Sequence, residues 1–119
     1  MSSLISIVGA GPGDPELLTL KAYQRIQEAD YLLHDALISD EILNLAKPEA
    51  RRIYVGKIYQ DGQGQTERQE WINQLIIELA GKGQKIVRLK SGDPMIFGRG
   101  AEEIRFCIEN NLNYEVIPG

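Results

Sequence analysis

Short apolar runs alternate with helix-period segments along the whole chain, and each run stops at a loop that carries unusual residues. Ile86-Val87 with Leu89 lies between Gly83 and Gly92 and reads as a buried strand. It opens into Ser91-Gly92-Asp93-Pro94, a dense turn signal, and the loop runs on to Gly98 and Gly100 before a helical pattern starts at Ala101. Gly92 has no Cβ, so a ligand can approach its backbone closely. Asp93 offers a carboxylate, and Pro94 biases it toward an extended conformation.

The other runs repeat the arrangement. Leu4 to Val8 is a first strand, followed by Gly9-Ala10-Gly11-Pro12-Gly13-Asp14-Pro15. A dinucleotide fingerprint would need glycine where Asp14 stands, and Pro12 and Pro15 remove backbone donors that a phosphate cradle uses. A helix follows from Thr19, its N-cap, to Glu28, with Ala22, Ile26 and Ala29 on one face. Tyr31-Leu32-Leu33 is a second run, ending at His34-Asp35, and a short helix covers Asp40 to Ala46. Ile53-Tyr54-Val55 is a third, ending at Gly56-Lys57, after which Tyr59 to Gln65 reads as a polar loop. Thr66 and Gln69 match a capping box for a helix with Ile72, Leu75, Ile76 and Leu79 on one face, ending at Gly81 or Gly83. The last helix carries Ala101, Ile104 and Ile108, and a fifth strand spans Tyr114 to Ile117.

Strands alternating with helices predict an α/β fold: one five-stranded parallel sheet with right-handed crossovers and helices on both faces. In such a sheet the ends of all strands lie on one edge, where open α/β folds bind ligands. Four unusual loops therefore converge there. The length of 119 residues fits one domain. A formal charge of -4 argues against a non-specific nucleic-acid binder. Cys107 is the only cysteine and His34 the only histidine, which excludes an intrachain disulfide, a cysteine-rich zinc site and paired-histidine metal ligation. No apolar run approaches a membrane span, so no membrane partner is expected, and the expected compartment is the cytosol.

Several side chains at that edge carry chemistry. Asp35 is either a general base, if partly desolvated, or a turn residue. Lys57 is either a proton donor or partner for an anionic substrate, or a solvated surface lysine. His34 reads as packing at a strand end rather than as a catalyst, and Cys107 as inert core. Arg88 and Arg99 either face an acidic ligand or are ordinary surface charges.

Four segments together resemble the N-terminal domain of the tetrapyrrole methylase family, in particular its C-methyltransferases of uroporphyrinogen III: Val8 to Ala22 (VGAGPGDPELLTLKA), Asp35 to Glu41 (DALISDE), Tyr54 to Lys57 (YVGK) and Arg88 to Glu103 (RLKSGDPMIFGRGAEE). The resemblance implies a strand order of 3-2-4-1-5 and S-adenosyl-L-methionine as methyl donor. It implies methylation of two ring carbons of uroporphyrinogen III to give precorrin-2, toward siroheme and cobalamin, by a cytoplasmic homodimer. By position, Asp35 matches the proton acceptor and Lys57 the proton donor, while Pro12, Ser91, Gly92, Asp93 and Ile96 match donor-binding positions. The family usually has Tyr at the place of His34 and Gly at that of Ser91, and its segment corresponding to Tyr59 to Glu70 is shorter and less polar. The resemblance also implies that residues 1–119 are the N-terminal half of a two-domain enzyme whose second domain this chain lacks. The alternatives are a related precorrin methyltransferase and a non-catalytic nucleotide-binding α/β module.

Overall fold

The five apolar runs are strands, and they pair side by side, all parallel, in the order β3-β2-β4-β1-β5. They are β1 (Ile5–Gly9), β2 (Tyr31–His34), β3 (Arg51–Tyr54), β4 (Ile86–Lys90) and β5 (Tyr114–Ile117). The order is the one the family resemblance implies. The helices are α1 (Leu20–Glu28), α2 (Asp40–Leu43), α3 (Gly64–Gly81) and α4 (Gly100–Glu109). This computed structural model describes residues 4–35, 37–56, 64–92 and 100–119.

The register is even. Ile5 stands opposite both Ile86 and Tyr114, and Tyr31 opposite both Ile86 and Arg51. The strands therefore start in one row and finish in one row, and their following loops emerge together.

Each face of the sheet is covered by helices. Val8, Leu32, Val87, Leu89 and Ile117 pack on one face with Ala22 and Ile26 of α1 and Ile42 and Leu43 of α2. Ile5, Leu33, Val55 and Ile86 pack on the other with Ile72, Ile76 and Leu79 of α3 and Cys107 of α4. This division follows from the alternation of side chains along a strand. In α1 the expected apolar face is the buried one: Ala22, Ile26 and Ala29 are all fully buried. Its N-cap is Thr19, whose hydroxyl accepts a hydrogen bond from the Ala22 amide at 3.0 Å.

Three local expectations fail. The helix α3 starts at Gly64, so Thr66 lies inside it and is not a cap, and the Gln69 amide bonds Asn73 instead of reaching back. The face of α4 is rotated from the apolar pattern. Ala101 and Ile108 are exposed, whereas Glu103 and Cys107, one turn apart, are buried. Charge pairing to β4 overrides the apolar periodicity there. Finally, β3 begins two residues before its apolar run, because the Arg51 amide already donates to the Asp30 carbonyl at 2.9 Å. As an edge strand it tolerates two exposed arginines, which also discourage pairing with another chain.

The ends of α3 and α4 share one device. Gly83 (φ 75°) and Asn111 (φ 54°) take the left-handed conformation just past the helices. Gln84 and Leu112 then donate back to the carbonyls of Leu79 and Cys107, closing both helices with the Schellman pattern.

Glu115 anchors the β5 edge to α1. It accepts from Ser6 Oγ at 2.7 Å, pairs with Lys21 Nζ at 3.1 Å, and is held by the Arg25 guanidinium. Burial pushes its carboxyl pKa up, but the hydrogen bonds from Arg25, Ser6 and Lys21 outweigh it and bring the value down to about 2 from 4.5. A depressed folded pKa means stability that is complete above about pH 4.5 and lost as pH falls toward about 2. We expect Glu115→Gln to flatten the fall in unfolding free energy across that window, as read by urea unfolding at a series of pH values. An unchanged slope would show that the carboxylate contributes nothing there.

Candidate functional site

The loops after β1 and β4 are tied to each other. Gly11 and Gly92 exchange two backbone hydrogen bonds of 3.0 Å each, a single antiparallel bridge beyond the parallel sheet. Both glycines need positive φ for this, 64° and 70°. The chain end crosses the same point. A Cβ on Gly119 would lie 2.2 Å from the Gly92 carbonyl oxygen and 2.8 Å from the Gly11 nitrogen, so a third glycine is required there. On the other side, a Cβ on Gly92 would meet nothing within 4 Å among the described residues. Pro12 and Gly92 are exposed beside this crossing and Ser91 is half-buried.

Asp14, which breaks the dinucleotide pattern, has a structural use. Its side chain accepts from the Glu16 amide at 2.9 Å and caps a 3-10 turn at Pro15–Leu17. The next loop joins in through Ser39, which caps α2 and donates its hydroxyl to the Gly13 carbonyl at 3.2 Å.

The second part of the site is charged. Alternation along β4 sends Ile86, Arg88 and Lys90 to the side of α3 and α4. Both cations are buried, Arg88 to 3% exposure. Their common partner is Glu103 of α4, whose Oε2 accepts from Arg88 Nε at 2.8 Å and whose Oε1 accepts from Lys90 Nζ at 2.7 Å. Arg88 then extends Nη1 to Asp35 Oδ1 at 2.9 Å, with the Leu33 carbonyl 3.4 Å away. Asp35 itself stays about a quarter exposed, its side chain at 26%. Two carboxylates and two cations thus alternate in a line, Asp35–Arg88–Glu103–Lys90.

Burial works against charge at both central members. It pulls the Arg88 pKa down, but Glu103 and then Asp35 more than offset this, and the value rises above the ordinary one. Likewise burial pushes Glu103 up, and Arg88 and Lys90 bring it below the usual carboxylate range. Both are therefore ionised at neutral pH. Cys107, one turn along α4, is pushed up to about 11 by burial and by Glu103, which fits inert core.

Among the expected site residues, Asp35, Pro12, Ser91 and Gly92 all lie at the same edge of the sheet. Lys57, Asp93, Ile96 and Arg99 lie outside the described residues. Arg88 is neither a ligand-facing nor a surface charge: it is a buried strut between two acids. Glu103 entered the sequence reading only as the last residue of a matching segment, with no role given to it. Its signal was the pair Arg88 and Lys90 on one face of an otherwise apolar strand, which requires a buried anion opposite. His34 packs as expected, half-buried, its ring 5.8 Å from that of Tyr54. Among the described residues no cluster of three or more potential metal ligands exists, and no helix is long and apolar enough to cross a membrane.

Residues 4–119 match the family of tetrapyrrole (corrin/porphyrin) methylases. The chain belongs to that family. It is 51% identical over 119 residues to a uroporphyrinogen-III C-methyltransferase of Methanocaldococcus jannaschii, covering 100% of this chain and 48% of the relative. It is also 51% identical over 115 residues to siroheme synthase 1 of Aeromonas salmonicida, covering 97% of this chain and 24% of that one. Among solved structures, the uroporphyrin-III C-methyltransferase of Thermus thermophilus complexed with S-adenyl homocysteine superposes with a TM-score of 0.80 at 44% identity, over 98% of this chain and 48% of the other. This member of the methylase family thus spans a quarter to a half of the length of these relatives.

The glycine crossing generates a test. At Gly92 no described residue would meet a Cβ and the positive φ is what restricts it, so Gly92→Ala should cost about 1–2 kcal/mol of stability. Gly119→Ala meets backbone atoms and should disrupt the Gly11–Gly92 bridge itself. Amide exchange at Gly11 and Gly92 distinguishes the two: protection should survive in Gly92→Ala and vanish in Gly119→Ala.

Proposed function

We propose that this chain is the N-terminal part of an S-adenosyl-L-methionine-dependent uroporphyrinogen-III C-methyltransferase that makes precorrin-2. One observation carries the reading: an edge where an open glycine crossing lies one strand away from a carboxylate held by a buried guanidinium. The residues present fit the donor. Gly92 presents backbone without a side chain, and Pro12, Asp14 and Pro15 suit the loop after β1 poorly to a nucleotide phosphate. A sulfonium is cationic, and carbonyls and acids suit it.

The donor supplies an electrophilic methyl group. In the reaction the pyrrole carbon takes that methyl, the sulfur–carbon bond breaks, and a proton must leave the macrocycle. Asp35 accepts this proton, and its partial exposure at the edge gives the substrate access to it. Lys57 acts as proton donor. By the family resemblance, Pro12, Ser91, Gly92, Asp93 and Ile96 bind the donor. The same reading places the enzyme in the cytoplasm as a homodimer. Leu17, Leu20 and Leu37, each at least 60% exposed, supply apolar surface for a second domain or a second copy.

Two expected outcomes test this. In the full-length enzyme Asp35→Ala should lower kcat by about 10²–10⁴-fold with little change in donor affinity, because a base acts in the transition state. Lys57→Ala should also cut turnover, and near-normal turnover in both variants would remove their assigned roles. The 119-residue chain alone should bind S-adenosylhomocysteine weakly and transfer no methyl group, because half a pocket leaves much of the ligand in water. Calorimetry with S-adenosylhomocysteine and an assay with uroporphyrinogen III check this. Micromolar binding with measurable transfer would show that these residues carry the whole site.

A further inference from the structure

We infer that Glu103 is a positioning residue for the reaction: through Arg88 it fixes the Asp35 carboxylate that faces the substrate edge. The inference rests on the proposed role of Asp35 as proton acceptor. Glu103 touches no ligand-accessible surface, its side chain being only 1% exposed. Yet both of its oxygens are committed, one to Arg88 and one to Lys90.

Stability does not account for this arrangement. A buried ion network is often no more stabilising than apolar side chains of the same volume, because desolvation cancels most of the attraction. What the network provides is geometry. The Arg88 guanidinium is a planar fork with fixed donor directions. Glu103 holds its Nε edge, and this orients Nη1, which bonds Asp35 Oδ1 at 2.9 Å with the Leu33 and Leu89 carbonyls 3.4 and 3.5 Å away. Asp35 follows β2 and lies diagonally across from Arg88, since Leu33 is the residue paired with Arg88 in the register. A neighbouring strand thus orients the carboxylate, leaving its turn free to carry only the backbone. Lys90 completes the frame by holding the second oxygen of Glu103, which prevents the carboxylate from rotating away from Arg88.

Glu103→Gln is the direct test. An amide has one acceptor and one donor end, so it cannot serve both Arg88 and Lys90. In the full-length enzyme this variant should lose about 10–100-fold in kcat, the scale expected for a displaced catalytic group, with donor KM within about twofold of the parent. The decisive measurement is the double-mutant cycle with Asp35→Ala. If Glu103 acts through Asp35, Glu103→Gln should cost less than about twofold once Asp35 is gone. An equal loss in both backgrounds would overturn the inference while leaving Asp35 as the base. Normal turnover of Asp35→Ala would overturn the base assignment and this inference together.

A second readout needs no activity. In the 119-residue chain the Arg88 Nε–H should exchange slowly with solvent in proton–nitrogen spectra, and Glu103→Gln should make it exchange fast. Unchanged slow exchange would show that Glu103 does not hold Arg88, and the inference would fail on that ground alone. Should Glu103→Gln not fold, Arg88→Lys carries the same cycle. A lysine keeps the charge but cannot bridge Glu103 and Asp35, so its loss in kcat should likewise disappear in the Asp35→Ala background, and an equal loss in both would overturn the coupling.

Discussion

A guanidinium at 3% exposure must have anions at its nitrogen atoms, and in this molecule those anions come from two other elements. Arg88 on β4 takes one from α4 and one from the turn after β2. That requirement ties together three segments far apart in sequence. It sets the rotation of α4, since Glu103 must face the sheet even though this leaves Ile108 in solvent. It also sets the position of the Asp35 turn, which would otherwise be held mainly by the backbone bond from its amide to the Leu89 carbonyl. Removing either acid would leave a buried positive charge short of a partner, which costs more than the pair itself contributes.

The central place of β4 explains why two kinds of surface lie so close together. Its neighbours β1 and β2 are followed by α1 and α2, which pack on one face, while β4 is followed by α4 on the other. Crevices form where adjacent strands send their connections to opposite faces. Here that happens on both sides of β4. Toward β1 the crevice is made of backbone, with Gly11 bridged to Gly92. Toward β2 it is made of charge, with Arg88 against Asp35. In the proposed reaction the first suits a large donor met through backbone carbonyls, and the second suits the proton transfer. One strand then serves both partners of the reaction through opposite sides.

How much of this was legible in the sequence depended on whether the signal was local. The buried runs, the Thr19 cap and the positions of the odd loops were readable, because strand burial, capping and turn chemistry act over a few residues. The strand order was accessible only through the family resemblance. The buried face of α4 was legible at Cys107 and not at Glu103, because apolar periodicity assumes that helix burial is hydrophobic and here an ion pair shares in it. Arg88 was left open between ligand contact and surface because charge on a strand is ambiguous without its neighbours. The register resolves it, for Arg88 sits between Ile7 of β1 and Leu33 of β2 in the middle of the sheet, where it is buried. Lys57, Asp93 and Ile96 draw their assignment from the resemblance alone.

The glycine crossing adds a direction to the site. Gly119 fills one side of the Gly11–Gly92 bridge so tightly that no Cβ fits, whereas on the Gly92 side the space is empty among the described residues. In the proposed reading the donor meets the crossing from the side of Gly92. The family pattern has glycine at position 91, where this chain has Ser91. The bridge can form without glycine at 91, since Ser91 is not among the residues with positive φ. The departure from the family pattern thus falls outside the positions that the backbone geometry reserves for glycine, which are 11, 92 and 119.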